Sequence, residues 1–541
     1  VCGTHGKTTT AAMATHILRA AGLDPSHCIG GESATLDPAG AGRGALLVVE
    51  ADESDGTLSE YAPDVMVLTN VEFDHADHFA DLAAVRACFE AAARRARRGL
   101  VYNADDPGAR ALGRGLPRAV SFGIAPEAEW RAAGIEEHPE GLAFKLWRGA
   151  GRLGAVRLPA PGRHNVSNAL AACAASSFFG AGFEAMRAAL ETFQAVSRRF
   201  ERVASGGDVL VISDYAHHPT ELAAVLRTLA AVPRKRWLAV FQPHRFSRTR
   251  ALADGLAAVW QGVDEVIVAP VYAASEAPRE GGTAWDLYAG IRRAGRVRAL
   301  CAASLEAVWP YLRTALRPGD GLLVAGAGDV DRIARQARAA LVGGGAAGLD
   351  PADAWAAELE ARPWAATRLR RRAPLAGYTT LRVGGAADML AEVGAESDLV
   401  RLIQWARARG VPVTILGAGS NVLASDLGVR GLVIRLEGDF RRMRIDGRAL
   451  RATAGAGAPL AALVQQAAAA GGAGLEFLAG IPGTVGGALR MNAGAWGQAI
   501  GDRTDWVRCL RPDGTEAVIP GAELGFEYRG CPGLRGTVVV E

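Results

Sequence analysis

From residue 1 to residue 342 short runs of Val, Leu and Ile alternate with helix-like stretches. The runs are ALLVVEAD (45–52), DVMVLTN (64–70), DVLVISDYA (208–216), RWLAVFQ (236–242), EVIVAPV (265–271) and GLLVAGAG (321–328). Unbroken apolar runs of this length suit strands buried on both faces, so the pattern predicts parallel sheets in an α/β fold. At Val196–Glu201 SRRFER leads into a new strand, which predicts two domains, 1–196 and 197–342. GGGAAGLDPADA (343–354) reads as a linker, continued to 369, with the helix-like stretch 353–362 as its stiffer part. From about 370 the strands shorten and Gly-rich loops crowd together. A further domain is predicted over 370–523, and the start of another over 524–541. The halves are not copies of one another, so a solenoid is not supported.

Length agrees with this division, since 541 residues at roughly 150 per domain give three or four. The composition, 50% hydrophobic and 22% charged, is that of soluble globular protein. A net charge of +3 gives no case for a nucleic-acid or membrane surface. The seven cysteines form no CxxC pair, which fits reduced thiols and predicts a cytoplasmic setting. No charge-free apolar stretch is long enough for a membrane span, and no signal peptide is read. The chain opens at Val1 in what reads as a strand-to-loop junction, so further residues are expected upstream. Oligomeric state is not legible.

The first chemical signal is GTHGKTTT, which contributes Gly3, Thr4, His5, Gly6, Lys7, Thr8 and Thr9. Glycines let the loop turn its N–H groups toward an anion, Lys7 adds charge for phosphates, and Thr8 offers a hydroxyl to Mg²⁺. Val1 stands where the first Gly of the general GxxxxGK[ST] form would be. A chance Gly-Lys-Thr at a helix start is the alternative. EADESD (50–55) and NVEFDHAD (70–77) end two predicted strands, where ligands collect in parallel sheets. Glu50 and His75 join Thr8 as metal candidates; solvated loops or helix caps are the alternative for each cluster.

Together these motifs resemble the Mur ligases of the UDP-N-acetylmuramate–L-alanine type. NADDP (103–107), PGRHNVSNALAA (161–172), SRRFE (197–201), SDYAHHPTE (213–221) and FQPHRFSRTR (241–250) are similar to the family's further motifs, in order. The resemblance implies a central P-loop domain and a Rossmann-like C-terminal domain. It also implies ATP-dependent activation of the muramate carboxylate as an acyl phosphate, which the amine of L-alanine attacks. Asn165, Asn168, Arg199 and Asp214 would then join the loop in binding ATP. His75, His164, His217, His218, Arg245 and Arg248 would bind the UDP-sugar or the amino acid, with Lys7 and His217 catalytic. A packed pair is the alternative for His217 and His218, and a solvated helix face for Arg248. The family's UDP-binding N-terminal domain is not in the sequence, which is expected to weaken sugar-nucleotide binding.

In the second half, PVTIL runs into Gly417-Ala-Gly-Ser-Asn421. AGIPGTVGGALRMNAGAWG (479–497) and YTTLRVGGAAD (378–388) are equally Gly-rich. Small residues allow a pyrophosphate close to the backbone; a series of structural turns is the alternative. These segments resemble UDP-N-acetylenolpyruvoylglucosamine reductase, which implies an α+β FAD-binding domain of the PCMH type and the use of NADPH. FAD contacts would fall on Arg382, Gly417, Gly419, Ser420, Asn421, Gly480, Ile481, Gly483 and Gly487. FEYRGC (526–531) is similar to the family's YRxS stretch, with Cys531 where serine is usual. Arg529 would hold the enolpyruvyl carboxylate and Cys531 would donate a proton, as a thiol can; a buried inert cysteine is the alternative. Much of the reductase substrate domain is expected beyond Glu541. The reductase product is the ligase substrate, so the two halves join consecutive steps. Two rival readings stand beside this one: a Mur ligase adding another amino acid, and a nucleotide- and flavin-binding scaffold without full activity.

Overall fold

The structure is a computed structural model that describes residues 1–33, 35–138, 140–206, 208–344 and 350–541. It divides into two compact units, 1–309 with 316–347 and 310–315 with 348–541.

The first unit holds two sheet-based layers. In the first, strands Val65–Leu68, Gly99–Asn103, Ala119–Gly123 and Trp130–His138 lie parallel in that order. An antiparallel meander, Gly141–Arg148 and Gly151–Leu158, extends the sheet. The apolar run at 45–52 does not join this sheet: Leu47–Val49 pairs with Ser26–Cys28 in a small three-stranded one. Residues 1–2 tie the two sheets together, because Ala51 N donates to the Val1 carbonyl and Cys2 N to the Val67 carbonyl. Helices Lys7–Ala20 and Arg163–Ser177 pack on the sheet, burying Met13, Ile17, Val166 and Leu170 against Val101, Phe122 and Leu146. The alanines of Arg163–Ser177 leave room for that close approach.

In the second layer the sheet order is Glu201–Gly206, Val209–Asp214, Asp320–Ala325, Arg236–Phe241, Glu265–Val268, Arg298–Cys301. Every pairing is parallel except the first. The central strands are buried on both faces, as their unbroken apolar runs require.

The second unit is α+β. Its main sheet runs Thr367–Pro374, Ala386–Val393, Val429–Leu436, Val413–Ile415, and helix Glu396–Arg409 packs on it with Leu399, Leu402 and Ile403 buried. An antiparallel sheet of Glu516–Pro520, Trp506–Leu510 and Val538–Val539 follows. The predicted linker is corrected here. The linker assigned to 343–369 contains helix Pro351–Glu360, whose Ala356 and Leu359 are in the unit's core, and the start of strand Thr367–Pro374; its residues 345–349 lie outside the described ones. The segment 524–541, expected to start another domain, packs within this unit. Leu534, Val538, Val539 and Val540 are in the same core, because this apolar run closes the edge of the second sheet. Among the described residues no helix is long and apolar enough to cross a membrane.

Candidate functional site

The first site forms where Gly3–Thr8 turns from the sheet into helix Lys7–Ala20. Gly3 (φ 124°) and Gly6 (φ 80°) occupy backbone that side-chain-bearing residues avoid. A Cβ on Gly6 would stand 2.6 Å from Asn168 Oδ1, and one on Gly3 would stand 2.1 Å from Thr69 Oγ1. Strand-end residues staple the loop: Asn70 Oδ1 accepts from His5 N at 2.8 Å, and Asn70 Nδ2 and Thr69 Oγ1 donate to the His5 carbonyl. Asn168 accepts from Thr10 Oγ1 and is itself held by Asn165, so the two asparagines position the loop from behind. NADDP serves as a scaffold, with Asp106 capping helix Pro107–Gly113 and Asp105 accepting from Ile124 N and Ala125 N.

A cleft of about 220 Å³ opens at this loop, and Lys7, Glu50, His75, Arg199, Arg245 and Arg248 are among its walls. Lys7 is buried. Its ammonium lies 3.0 Å from Glu53 Oε2 and 3.3 Å from Asp52 Oδ2. Burial works against its charge, but these carboxylates win and raise its pKa. Thr8 Oγ1 donates to Glu50 Oε1 at 2.8 Å, and Gly30 N fixes the other Glu50 oxygen. Glu53 Oε1 is buried with no hydrogen-bond partner, 3.9 Å from His75 Nε2. A hydroxyl, a fixed carboxylate and an orphaned carboxylate oxygen make a hard-oxygen set that fits Mg²⁺. Glu53 and Asp52 were not singled out from the sequence, although both lie inside the quoted EADESD.

The opposite wall comes from the second layer. Arg248 grips Asp74 bidentately, at 2.7 Å and 3.1 Å, and donates to His244 Nδ1 at 3.0 Å. Arg245 pairs with Asp77. The sequence reading offered a solvated face as the alternative for Arg248, and its burial excludes that. His217 Nδ1 faces the Tyr215 carbonyl at 3.0 Å. A carbonyl only accepts, so Nδ1 carries the hydrogen and Nε2 keeps a lone pair. Burial pushes His217 down to about 4 and His244 down to about 3. His5 does not point at the phosphate loop's own amides. Its ring lies 3.3 Å from both Glu72 and Glu221, and although burial opposes it, these carboxylates raise its pKa to about 9. His218 caps helix Pro219–Ala230.

Two of the predicted binding residues stand apart from the cleft wall. Each Asp214 oxygen is engaged by a backbone amide, Phe200 N and Ala216 N donating at 2.7 Å; burial raises its carboxyl to about 6. His164 is exposed beside Gly162 and Thr228 and is not among the residues lining the cleft.

In the second unit the three Gly-rich segments converge. Thr380 N donates to the Gly419 carbonyl, Gly385 N to the Ser425 carbonyl, and Ser420 Oγ to the Pro482 carbonyl. A Cβ on Gly419 (φ 69°) would stand 2.1 Å from the Tyr378 carbonyl oxygen. Beside them lies a cavity of about 600 Å³ with Gly417, Gly457, Gly486 and Gly487 in its wall, and with Arg435 and Arg490 at hand for anions. A cavity walled by glycine backbone, aliphatic side chains such as Ile415 and Val538, and arginines fits a dinucleotide such as FAD. Of the predicted contacts, Gly417 and Gly487 line it directly. Gly419, Ser420 and Gly483 shape the adjoining loops, and Asn421, Gly480 and Arg382 are exposed, with Ile481 half-buried. Arg529 is exposed over the Tyr528 ring. Cys531 is in the core, its thiol 3.5 Å from the Leu524 carbonyl, and burial raises its pKa. As folded its thiol is packed in the core, as the buried-cysteine alternative describes.

Residues 1–176 match the Mur ligase middle domain and residues 198–328 the Mur ligase glutamate ligase domain. The chain is 39% identical over 353 residues to the UDP-N-acetylmuramate–L-alanine ligase of Symbiobacterium thermophilum, covering 63% of this chain and 73% of that protein. The chain belongs to the UDP-N-acetylmuramate–L-alanine ligase family. Among solved structures, the UDP-N-acetylmuramate-alanine ligase of Thermotoga maritima superposes with a TM-score of 0.51 at 28% identity, over 62% of this chain and 73% of that one. Beyond the ligase region, residues 387–519 match an FAD binding domain. Part of the chain is also 42% identical to UDP-N-acetylenolpyruvylglucosamine reductase of Thermus caldophilus, over 32% of this chain and 60% of that one, with a TM-score of 0.28. The ligase-family region and the flavin domain fall in the first and second compact units respectively.

Proposed function

We propose that the first unit joins L-alanine to UDP-N-acetylmuramate at the expense of ATP, and that the second, with FAD and NADPH, reduces the enolpyruvyl ether of UDP-N-acetylglucosamine to that same acceptor. The observation that carries the ligase reading is the cleft itself: Lys7, the Thr8–Glu50 pair, His75, Arg245 and Arg248 face one space. The γ-phosphoryl group passes from ATP to the lactyl carboxylate, giving an acyl phosphate and ADP. The alanine amine attacks the acyl carbon, phosphate leaves, an amide forms and the amine gives up a proton. Lys7 offsets phosphate charge once a triphosphate draws it from Glu53 and Asp52. His217 Nε2, neutral near pH 7, can accept the amine proton. Arg245 and Arg248 suit the amino-acid carboxylate, which would compete with Asp77 and Asp74. Thr8, Glu50, Glu53 and His75 would hold Mg²⁺, which supplies charge neutralisation at the transferring phosphate. Catalysis here is chiefly positioning.

In the second unit, bound FAD supplies hydride relay between NADPH and the enolpyruvyl carbon. The chain's own part is to hold the pyrophosphate at Gly417, Gly419, Ser420 and Gly487 and to offer Arg490 and Arg435 to anions. Both reactions use the nucleotide pools of the cytoplasm, where we place the protein. The test is twofold: phosphate release from ATP that requires UDP-N-acetylmuramate and is stimulated by L-alanine above glycine or L-serine, and NADPH oxidation by yellow protein that requires the enolpyruvyl sugar. Phosphate release indifferent to the amino acid would overturn the first half. A colourless protein that takes up no added FAD would overturn the second.

A further inference from the structure

We propose that His5, Glu72 and His218 form a binding site for a first-row divalent transition ion such as Zn²⁺ or Co²⁺, separate from the Mg²⁺ position at Thr8 and Glu50. It is the one group of three or more such ligands, among the described residues, whose donor atoms come within 4.8 Å of one another. Glu72 Oε2 lies 3.3 Å from His5 Nε2 and 3.5 Å from His218 Nδ1. Two ligands at about 2.0–2.1 Å from a tetrahedral ion stand about 3.3–3.4 Å apart, so these separations already match its edges. Both rings converge on the carboxylate, with centroids 4.6 Å apart.

Two further observations support a ligand here, and a third sets its cost. His5 Nδ1 is 3.3 Å from Glu221 Oε1, the carboxylate–histidine arrangement that orients a metal-bound imidazole from behind. His218 is 5% exposed, and the nitrogen that faces Glu72 is Nδ1, which also accepts from Thr220 N at 3.3 Å, so a bound ion would take this lone pair over from the helix cap. Thr220 Oγ1 donates to Glu72 Oε2 at 2.7 Å and fixes the carboxylate. Two imidazoles and one carboxylate favour Zn²⁺ or Co²⁺ over Mg²⁺, which prefers oxygen ligands. His5 and Glu72 belong to the first layer of the unit and His218 to the second. A bound ion would therefore tie the phosphate loop to the helix that starts at Pro219.

The test is a Co²⁺ titration of the whole chain with Mg²⁺ in large excess to fill the oxygen site. Expected are one equivalent of Co²⁺, the strong visible ligand-field absorption of a low-coordinate ion, its bleaching by one equivalent of Zn²⁺, and a rise in the first unit's unfolding temperature with Zn²⁺. His218→Asn keeps a helix-capping acceptor and Glu72→Gln keeps an acceptor for Thr220, so both variants are expected to fold. Each should lose at least ten-fold in Co²⁺ affinity, with the absorption gone. Absorption that persists in both variants would place the ion elsewhere, and a wild-type chain that gives no saturable absorption would refute the site; either result overturns the proposal.

Discussion

Lys7 shows how one residue's role depends on what surrounds it. Its ammonium is held by Glu53 and Asp52, so under the proposed function a triphosphate has to draw it away from those carboxylates. Lys7→Ala removes the proposed phosphate partner and leaves the buried Glu53 with only His75, 3.9 Å away, as a charged neighbour among the described residues. We expect L-alanine-dependent phosphate release to fall about 10²–10³-fold, the scale of losing one preorganised electrostatic group, with kcat affected more than the KM for L-alanine. His5 gives a pH signature. Its pKa is raised to about 9 in the folded chain by Glu221 and Glu72, above the unfolded value near 6.5. The stability it contributes is therefore fully present below about pH 6.5 and lost as pH rises through 9. Unfolding temperatures of wild type and His5→Asn should differ most at pH 6 and converge by about pH 10; a constant gap would refute the linkage. Lys7 was legible because a lysine after glycine at a helix start has few other uses. Glu53 was not, since nothing in EADESD tells which acid turns inward.

At the scale of elements, the informative features are turns. The phosphate loop depends on Gly6, where φ is 80° and Asn168 fills the space a side chain would need. Gly6→Ala combines left-handed strain with that clash, so we expect a loss of about 1–3 kcal/mol in the first unit's stability, measured by denaturant unfolding, together with weaker ATP binding. The corresponding element in the flavin half is helix Val485–Arg490, capped by Thr484, whose side chain accepts from Gly487 N at 3.3 Å. Thr484→Ala should cost about 0.5–2 kcal/mol and lower FAD retention on gel filtration, because Thr484 also lines the cavity. The parallel strands were readable as unbroken apolar runs. The antiparallel meander from Trp130 to Leu158 was not singled out, since its alternating exposure carries a weaker signal than a fully buried strand.

At the scale of the whole molecule, the buried Asp74–Arg248 pair joins the two layers of the first unit. Despite burial, Arg248 holds Asp74 well below the usual carboxylate range, so its stabilisation is present above about pH 4 and fades as pH falls below that. Asp74→Ala would strand a buried guanidinium and should cost about 3–5 kcal/mol, lowering the first unit's melting transition. Added FAD at 100 times its Kd should raise the second unit's transition by about 2.7 kcal/mol and leave the first unmoved; a shift in both would contradict two separate sites. The sequence by itself determined the α/β and α+β character of the two halves, the phosphate loop and the Gly-rich flavin loops, because these are local: apolar period, glycine conformational freedom and fixed spacing all act over a few residues. Only the tertiary structure decided which acids pair with Lys7, that Arg248 is buried on Asp74, that Asp214 is spent on backbone amides, and that Cys531 lies in the core. Those outcomes depend on contacts between residues tens to hundreds of positions apart, where burial and competing partners set each group's charge and reach, and no local pattern encodes them.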